Sequence, residues 1–560
     1  MDKIELLKRL VSIQFQQPFF NKLVEIENGK IMGRREKLHR VVCWYDIPYA
    51  APATGKLRWR KPQPAQPIKG VLNCISPSRD RNIQNFGSKT FGTEGKLTLN
   101  ICRPDSTDKD LPVLVYFHGG NFQVGNPQEW LGNKFCMERN VVHVSIDYRL
   151  GVLGFNTLPA LRTGDPEEDS GNYMLLDCKA ALEWVQRNIK TFGGNPDDIT
   201  VCGHSAGACA CLSMLISPLF KNLFHKAIVF NAPPVTCPPE KAQLVFAHRF
   251  SWLAIEEGLF THENDALKWL LSEKEADRKS VKKWLYSLNA QRIINLFPLS
   301  GVRMHLFPCC FTDGVVLPKD GYATDSFNSV PLLLLCSGAE FSAFIPVDKF
   351  FKSRFKLNPQ DEQLKAEMNF AKWIGNSLYQ YQNSGLIAET IGSRYQNNIY
   401  ISSLDYGNNE GGVDKRFVER YGAVHGNILP IITDQYKIPW KRGNDFFQHQ
   451  GAIRLSELIL SCIYSFMCSG NPNCSELKLD WHPWSNEKHS IIVFNADRET
   501  YLVSDTLQNF SYEDLFINID SDDTISDESK KAILSQVLAH RWFSEELDKH
   551  YNNPNPWYAR

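Results

Sequence analysis

Neither sign of charge is in surplus in this 560-residue chain, where 62 Lys and Arg face 62 Asp and Glu. A nucleic-acid-binding surface normally needs a basic excess, and so does a polybasic membrane anchor. Both classes are therefore set aside. No stretch reaches the roughly 18 uninterrupted apolar residues of a membrane helix. The opening MDKIELLKRLVSIQFQQ is interrupted by Asp2, Lys3, Glu5, Lys8 and Arg9, which does not suit the apolar segment of a secretory signal. The final NPNPWYAR carries no lipidation or retention motif. The expectation is a soluble, cytoplasmic protein with no membrane or nucleic-acid partner.

A cysteine framework is also missing. The 15 cysteines are odd in number and scattered, and pairs such as Cys309-Cys310 and Cys209-Ala210-Cys211 lack zinc spacing. They read as reduced, buried thiols, with no metal and no cofactor implied. Low-complexity linkers and internal repeats are absent too. Length alone would suggest three or four domains, yet a chain 43% hydrophobic and 22% charged has the composition to build one large core.

What the sequence does contain is strand–helix alternation. LPVLVYFH, VVHVSIDY, DITVCGH, KAIVFNA and PLLLLCSG are near-continuous apolar runs ending in turn residues, as strands buried on both faces of a parallel sheet would be. Helical patterns such as LLDCKAALEWVQRNI lie between them, which implies an open α/β sheet. LVEIENGKIMGRR predicts a hairpin with Asn28-Gly29 in a type I′ turn. SIIVFNADRETYLV predicts a second hairpin, and RLSELILSCIYSFM a helix. The acidic DLFINIDSDDTISDES reads as a surface loop before a last helix.

The strongest chemical signal is Gly203-His204-Ser205-Ala206-Gly207, set between the strand DITVC and the helix-compatible ACACLSMLI. A G-x-S-x-G nucleophile elbow requires that context. The turn is so tight that side chains at Gly203 and Gly207 would strike neighbouring backbone, and the serine hydroxyl is thereby exposed on a strained residue. A serine needs a base, and the base an orienting acid. In chain order Ser, acid, His, Glu340 just past PLLLLCSG is the candidate acid and His425 in YGAVHGNILP the candidate base. Read singly, Glu340 is more often a solvated carboxylate, and His425 more often a surface or satisfied histidine. His118-Gly119-Gly120-Asn121-Phe122, following LPVLVYF, can bring backbone N–H groups close to a developing oxyanion.

These blocks, together with WYDIPYAAPATGKLRWRKPQP, LTLNICRP, DYRLGVLGF, SGNYMLLDCKAALEWVQRNIKTFGGNPDDITVCGHSAGA, DGVVLP and SGNPN, resemble the type-B carboxylesterase/cholinesterase family. The resemblance implies an α/β-hydrolase fold: a large central, mostly parallel β-sheet flanked by helices, with helical insertions over an active-site gorge. It implies a single domain over 1–560, family-like over 20–510, with a helical extension at 511–560. It further implies Ser205 as nucleophile, Glu340 as acid, His425 as base, and oxyanion donors at Gly120, Asn121 and Ala206. His204 and Phe122 would border the substrate.

The sequence departs from the family at several of these positions. Asn121 replaces a usual third glycine, and its side chain would narrow the acyl pocket. His204 replaces a usual glutamate, which removes a negative charge beside the serine. Ala339 and Phe341 flank Glu340 where Asp or Asn and Gly are common. Lys96 replaces a usual half-cystine, and the nearby loop lacks the cholinesterase tryptophan, so no cholinesterase activity is expected. The implied function is a serine carboxylesterase acting on small-molecule esters. The alternative is a non-catalytic binding member of the same fold. Trp252, Phe260, Phe297 and Phe307 are candidate gorge or packing aromatics. No oligomeric state follows from the sequence.

Overall fold

The structure, a computed structural model, describes residues 21–553 apart from 298–306, 434–446 and positions 37, 39, 88, 486 and 508. The N-terminal stretch through Gln17 and the C-terminal PNPWYAR lie outside the described residues.

The predicted strands join one mixed sheet. From edge to edge it runs Asn21–Ile26, Gly29–Glu36, Val41–Pro48, Thr98–Pro104, Val142–Ile146, Leu111–Phe117, Gly194–His204, Lys226–Phe230, Leu332–Ser337, Ile399–Leu404, Ser490–Ala496 and Tyr501–Leu507. Every pair from Val142–Ile146 through Ser490–Ala496 is parallel, and the flanking pairs are antiparallel. The period of two explains the apolar runs. Val113, Val115 and Phe117 enter one core with the helices Tyr173–Asn188 and Ala206–Ile216, while Leu114 and Tyr116 enter another beneath the helix Gln450–Ser469. Both faces are covered, so neither can be polar.

That last helix is long and apolar enough, by length and composition, to cross a membrane, but 61% of its apolar window is buried inside the fold. Its apolar character belongs to the core. A buried ion pair fixes the loop after Val142–Ile146: Arg149 Nη2 lies 2.6 Å from Asp177 Oδ1 on the helix Tyr173–Asn188. All fifteen cysteines are free thiols, and thirteen are buried.

Two local readings are corrected. In the first hairpin Ile26 pairs with Gly29, so the loop residues are Glu27 and Asn28. Neither has positive φ, which excludes a type I′ turn. Gly29 opens the second strand at φ 140°, where a Cβ would sit 2.7 Å from Ile68 Cβ. The close approach of that loop, not the turn type, explains this glycine. Further on, the first half of the acidic segment is helical, Tyr512–Ser521. Ser511 caps it by accepting the Asp514 N–H, and Leu515 and Ile519, one turn apart, are buried. Two apolar anchors at i and i+4 outweigh the acidic composition, because packing rather than propensity decides short helices.

Candidate active site

Ser205 follows the central strand Gly194–His204 and precedes the helix Ala206–Ile216, at φ 53° and ψ −120°. A non-glycine residue held there carries about 1–3 kcal/mol of strain. Neighbouring contacts impose the shape. A Cβ on Gly203 would overlap the Gly207 carbonyl, and one on Gly207 would overlap the Phe117 carbonyl. The elbow can therefore seat against the neighbouring strand only with glycine at both positions.

The segment after the strand Leu332–Ser337 and the loop after the helix Lys415–Arg420 bring partners to the hydroxyl. His425 Nε2 lies 3.0 Å from Ser205 Oγ, and His425 Nδ1 lies 2.7 Å from Glu340 Oε2. Glu340 is fully buried. Its other oxygen accepts the Ser337 N–H at 2.8 Å and an N–H of the Asn231 amide. With the carboxylate fixed as acceptor, the proton of the neutral imidazole belongs on Nδ1. Nε2 is then left to accept from the serine. Asn231 follows the strand Lys226–Phe230 at φ 58° and also donates to Ser337 Oγ at 2.7 Å. Sequence reasoning missed it; its only trace was an Asn, tolerant of the left-handed region, directly after a strand.

The Gly-rich loop turns sharply beside the elbow. Gly120 has φ 113°, and its carbonyl accepts the Gln123 and Val124 N–H groups at 3.0 Å. Asn121 and Phe122 follow, both at φ 54°. Among the described residues, the N–H groups of Gly120, Asn121 and Ala206 have no acceptor in the protein. Gly119 must be glycine for this approach, since a Cβ there would sit 2.8 Å from His204 Nδ1 and 3.2 Å from Ser205 Cβ.

His204 stands behind the serine, and its ring centroid lies 5.1 Å from that of His425. It is buried and does not line the cavity in front of Ser205. The negative charge that the elbow lacks at position 204 comes from another element. Glu129 Oε1 lies 3.8 Å from His204 Nδ1, and it accepts the Gly119 N–H at 2.9 Å and the Tyr116 hydroxyl at 2.6 Å. Burial opposes its charge, but His204, His118 and the Tyr116 hydroxyl together hold its pKa at about 2.

In front of Ser205 is a cavity of about 60 Å³. Asn121 and Phe122 line it, with Ala206, Cys209, Tyr379 and Trp542 among its other walls. Burial pushes the Cys209 thiol well above its usual range, so it stands as an inert apolar wall. Of the four candidate aromatics, only Phe307 reaches the cavity. Phe297 packs on Phe246 and Phe307, Phe260 packs on Trp269, and Trp252 is 44% exposed.

A serine on a strained elbow at the end of a central parallel strand, met by a carboxylate from just past a later strand and an imidazole from a later loop, defines an α/β-hydrolase. The chain belongs to the carboxylesterase family, whose sequence profile matches residues 21–358. It is 34% identical over 356 residues to carboxylesterase 1D of Rattus norvegicus, a match covering 58% of this chain and 59% of that protein's length. It is 30% identical over 507 residues to carboxylesterase 1E of Mus musculus, covering 80% and 86%. A solved carboxylesterase of Geobacillus stearothermophilus has the same fold, with a TM-score of 0.65 at 24% identity over 86% of this chain and 97% of that one.

Proposed function

We propose that this protein is a serine carboxylesterase that cleaves small carboxylic esters through an acyl-enzyme. The hydrogen-bonded row Ser205–His425–Glu340 carries the reading. His425 Nε2 takes the Ser205 proton as Oγ attacks the ester carbonyl. The three N–H groups of Gly120, Asn121 and Ala206 receive the oxyanion. His425 returns the proton to the departing alcohol. Water then attacks the acyl-serine by the same route and releases the acid. The relatives named carboxylesterase support the same substrate class. An excess of p-nitrophenyl ester mixed with the purified protein should release a burst of one p-nitrophenol per chain before the steady state. A protein that neither turns over the ester nor reacts with a fluorophosphonate would instead be a binding member of the fold.

Glu129 acts here as a positioning residue. It holds the Gly119 peptide and so sets where the next two N–H groups point. A hydrogen bond to a charged group is worth about 1.5–3 kcal/mol, so Glu129→Gln is expected to lower kcat by about 10- to 150-fold. KM should move little, because the oxyanion exists only in the transition state. Steady-state kinetics that showed the loss in KM alone would remove Glu129 from this role. Its depressed pKa also has a linkage sign. The charge of Glu129 stabilises the fold above the usual 4.5, and this contribution fades as pH falls toward about 2.

A further inference from the structure

The C-terminal helices end in a turn that reaches the cavity. After the π-helical turn Leu534–Leu538, residues 539–544 run into the helix Glu545–His550. The turn is pinned at both ends. The His540 N–H donates to Asp548 Oδ2 at 2.9 Å, and the Ser544 hydroxyl donates to the Leu538 carbonyl at 2.5 Å. Of its three consecutive side chains Arg541, Trp542 and Phe543, Trp542 lines the cavity and the other two anchor the turn.

Arg541 is buried, reaches Asp348 Oδ2 at 3.1 Å and lies 4.5 Å over the Phe341 ring. Phe543 packs edge-on against Phe341 and Tyr379, each at 5.3 Å. Trp542 stands 4.5 Å from the Tyr379 ring, and Tyr379 stands edge-on to His425 at 5.7 Å. Phe341 thus has a role in this chain: it joins the segment after Glu340 to the C-terminal turn. Gly375 leaves room for it, since a Cβ there would overlap the Phe341 ring.

Trp542 is a wall of the cavity that also contains Ser205 and Ala206. A leaving alcohol must meet His425 Nε2, the group that protonates it. The cavity is walled by Ser205 and by the oxyanion donors Asn121 and Ala206, which fits it to seat the acyl group. One water-sized group needs about 15 Å³ of such space. At about 60 Å³ the seat holds only a few heavy atoms, far below the ~300–1,000 Å³ of a drug-sized ligand pocket.

We propose that Trp542, carried in by the Arg541–Trp542–Phe543 turn, is a specificity-determining residue that limits the acyl group to about two to four carbons. This rests on the esterase reading above. Trp542→Ala is expected to raise the octanoate-to-acetate ratio of kcat/KM for p-nitrophenyl esters at least tenfold. Trp542→Phe, which keeps the aromatic packing, should move the optimum the same way by one or two carbons. Along a series of acetates with lengthening alcohols, the relative kcat/KM values should keep the same profile in either variant. An unchanged acyl ratio in both variants, or a shift confined to the alcohol series, overturns the proposal. Binding separates this outcome from failure of the esterase reading. Butanamide and octanamide carry the acyl group without a scissile ester, and calorimetry on Ser205→Ala proteins reads their affinities directly. Octanamide should bind at least tenfold tighter when Trp542→Ala is added. Equal affinity with and without Trp542 sinks the proposal whatever the chemistry at Ser205.

Discussion

Ser205→Ala is expected to cut kcat by about a million-fold and to abolish covalent reaction with a fluorophosphonate. The fold should survive. Alanine keeps the Cβ that serine already places at φ 53°, so the substitution adds no backbone strain. It removes only the Oγ that His425 faces at 3.0 Å. About 10³–10⁴ of rate enhancement over water should remain from the oxyanion donors and substrate binding alone. Hydrolysis of p-nitrophenyl acetate near the wild-type rate by this variant would show that the reaction runs elsewhere in the molecule.

The second large effect is expected from Glu340→Gln. Two donors, the Ser337 N–H and the Asn231 amide, already converge on one oxygen of Glu340. A glutamine there must turn its carbonyl toward them, which leaves its NH₂ facing His425 Nδ1. Nδ1 must then accept, the ring proton moves to Nε2, and the imidazole can no longer take the serine proton. A wrong tautomer of this kind costs about 10⁴ in kcat. KM and the thermal midpoint should stay close to wild type, since the hydrogen bonds of the pocket are replaced one for one. A loss of less than tenfold would assign the orienting carboxylate to another residue.

Much of the site could be read in advance because its rules are local. The elbow is dictated by two glycines whose Cβ atoms have no room, and the strands by runs that must be apolar on both faces. Order along the chain made His425 and Glu340 candidates, and the family resemblance implied their roles. What could not be read depends on which distant surfaces meet. Glu129 supplies the carboxylate that the elbow lacks, yet nothing near it in sequence marks it as a partner of His204. Asn231 looked like an ordinary residue at the end of a strand. Trp542 lies beyond the acidic stretch, in the expected helical extension, and its contact with Tyr379 exists only once the C-terminal helices dock. The helix Tyr512–Ser521 was missed for a related reason: two buried side chains fixed it against the trend of its neighbours.

The partners of Ser205 are spread along the chain, and that has a consequence for biosynthesis. The imidazole lies 220 residues downstream of the hydroxyl. At about 5–20 residues per second, a ribosome needs roughly 11–44 s to cover that distance. Throughout this interval the emerging polypeptide carries its serine as an unactivated alcohol, inert toward the acyl donors of its surroundings. Activation of the serine waits until the imidazole has been made and the tertiary structure has closed around both.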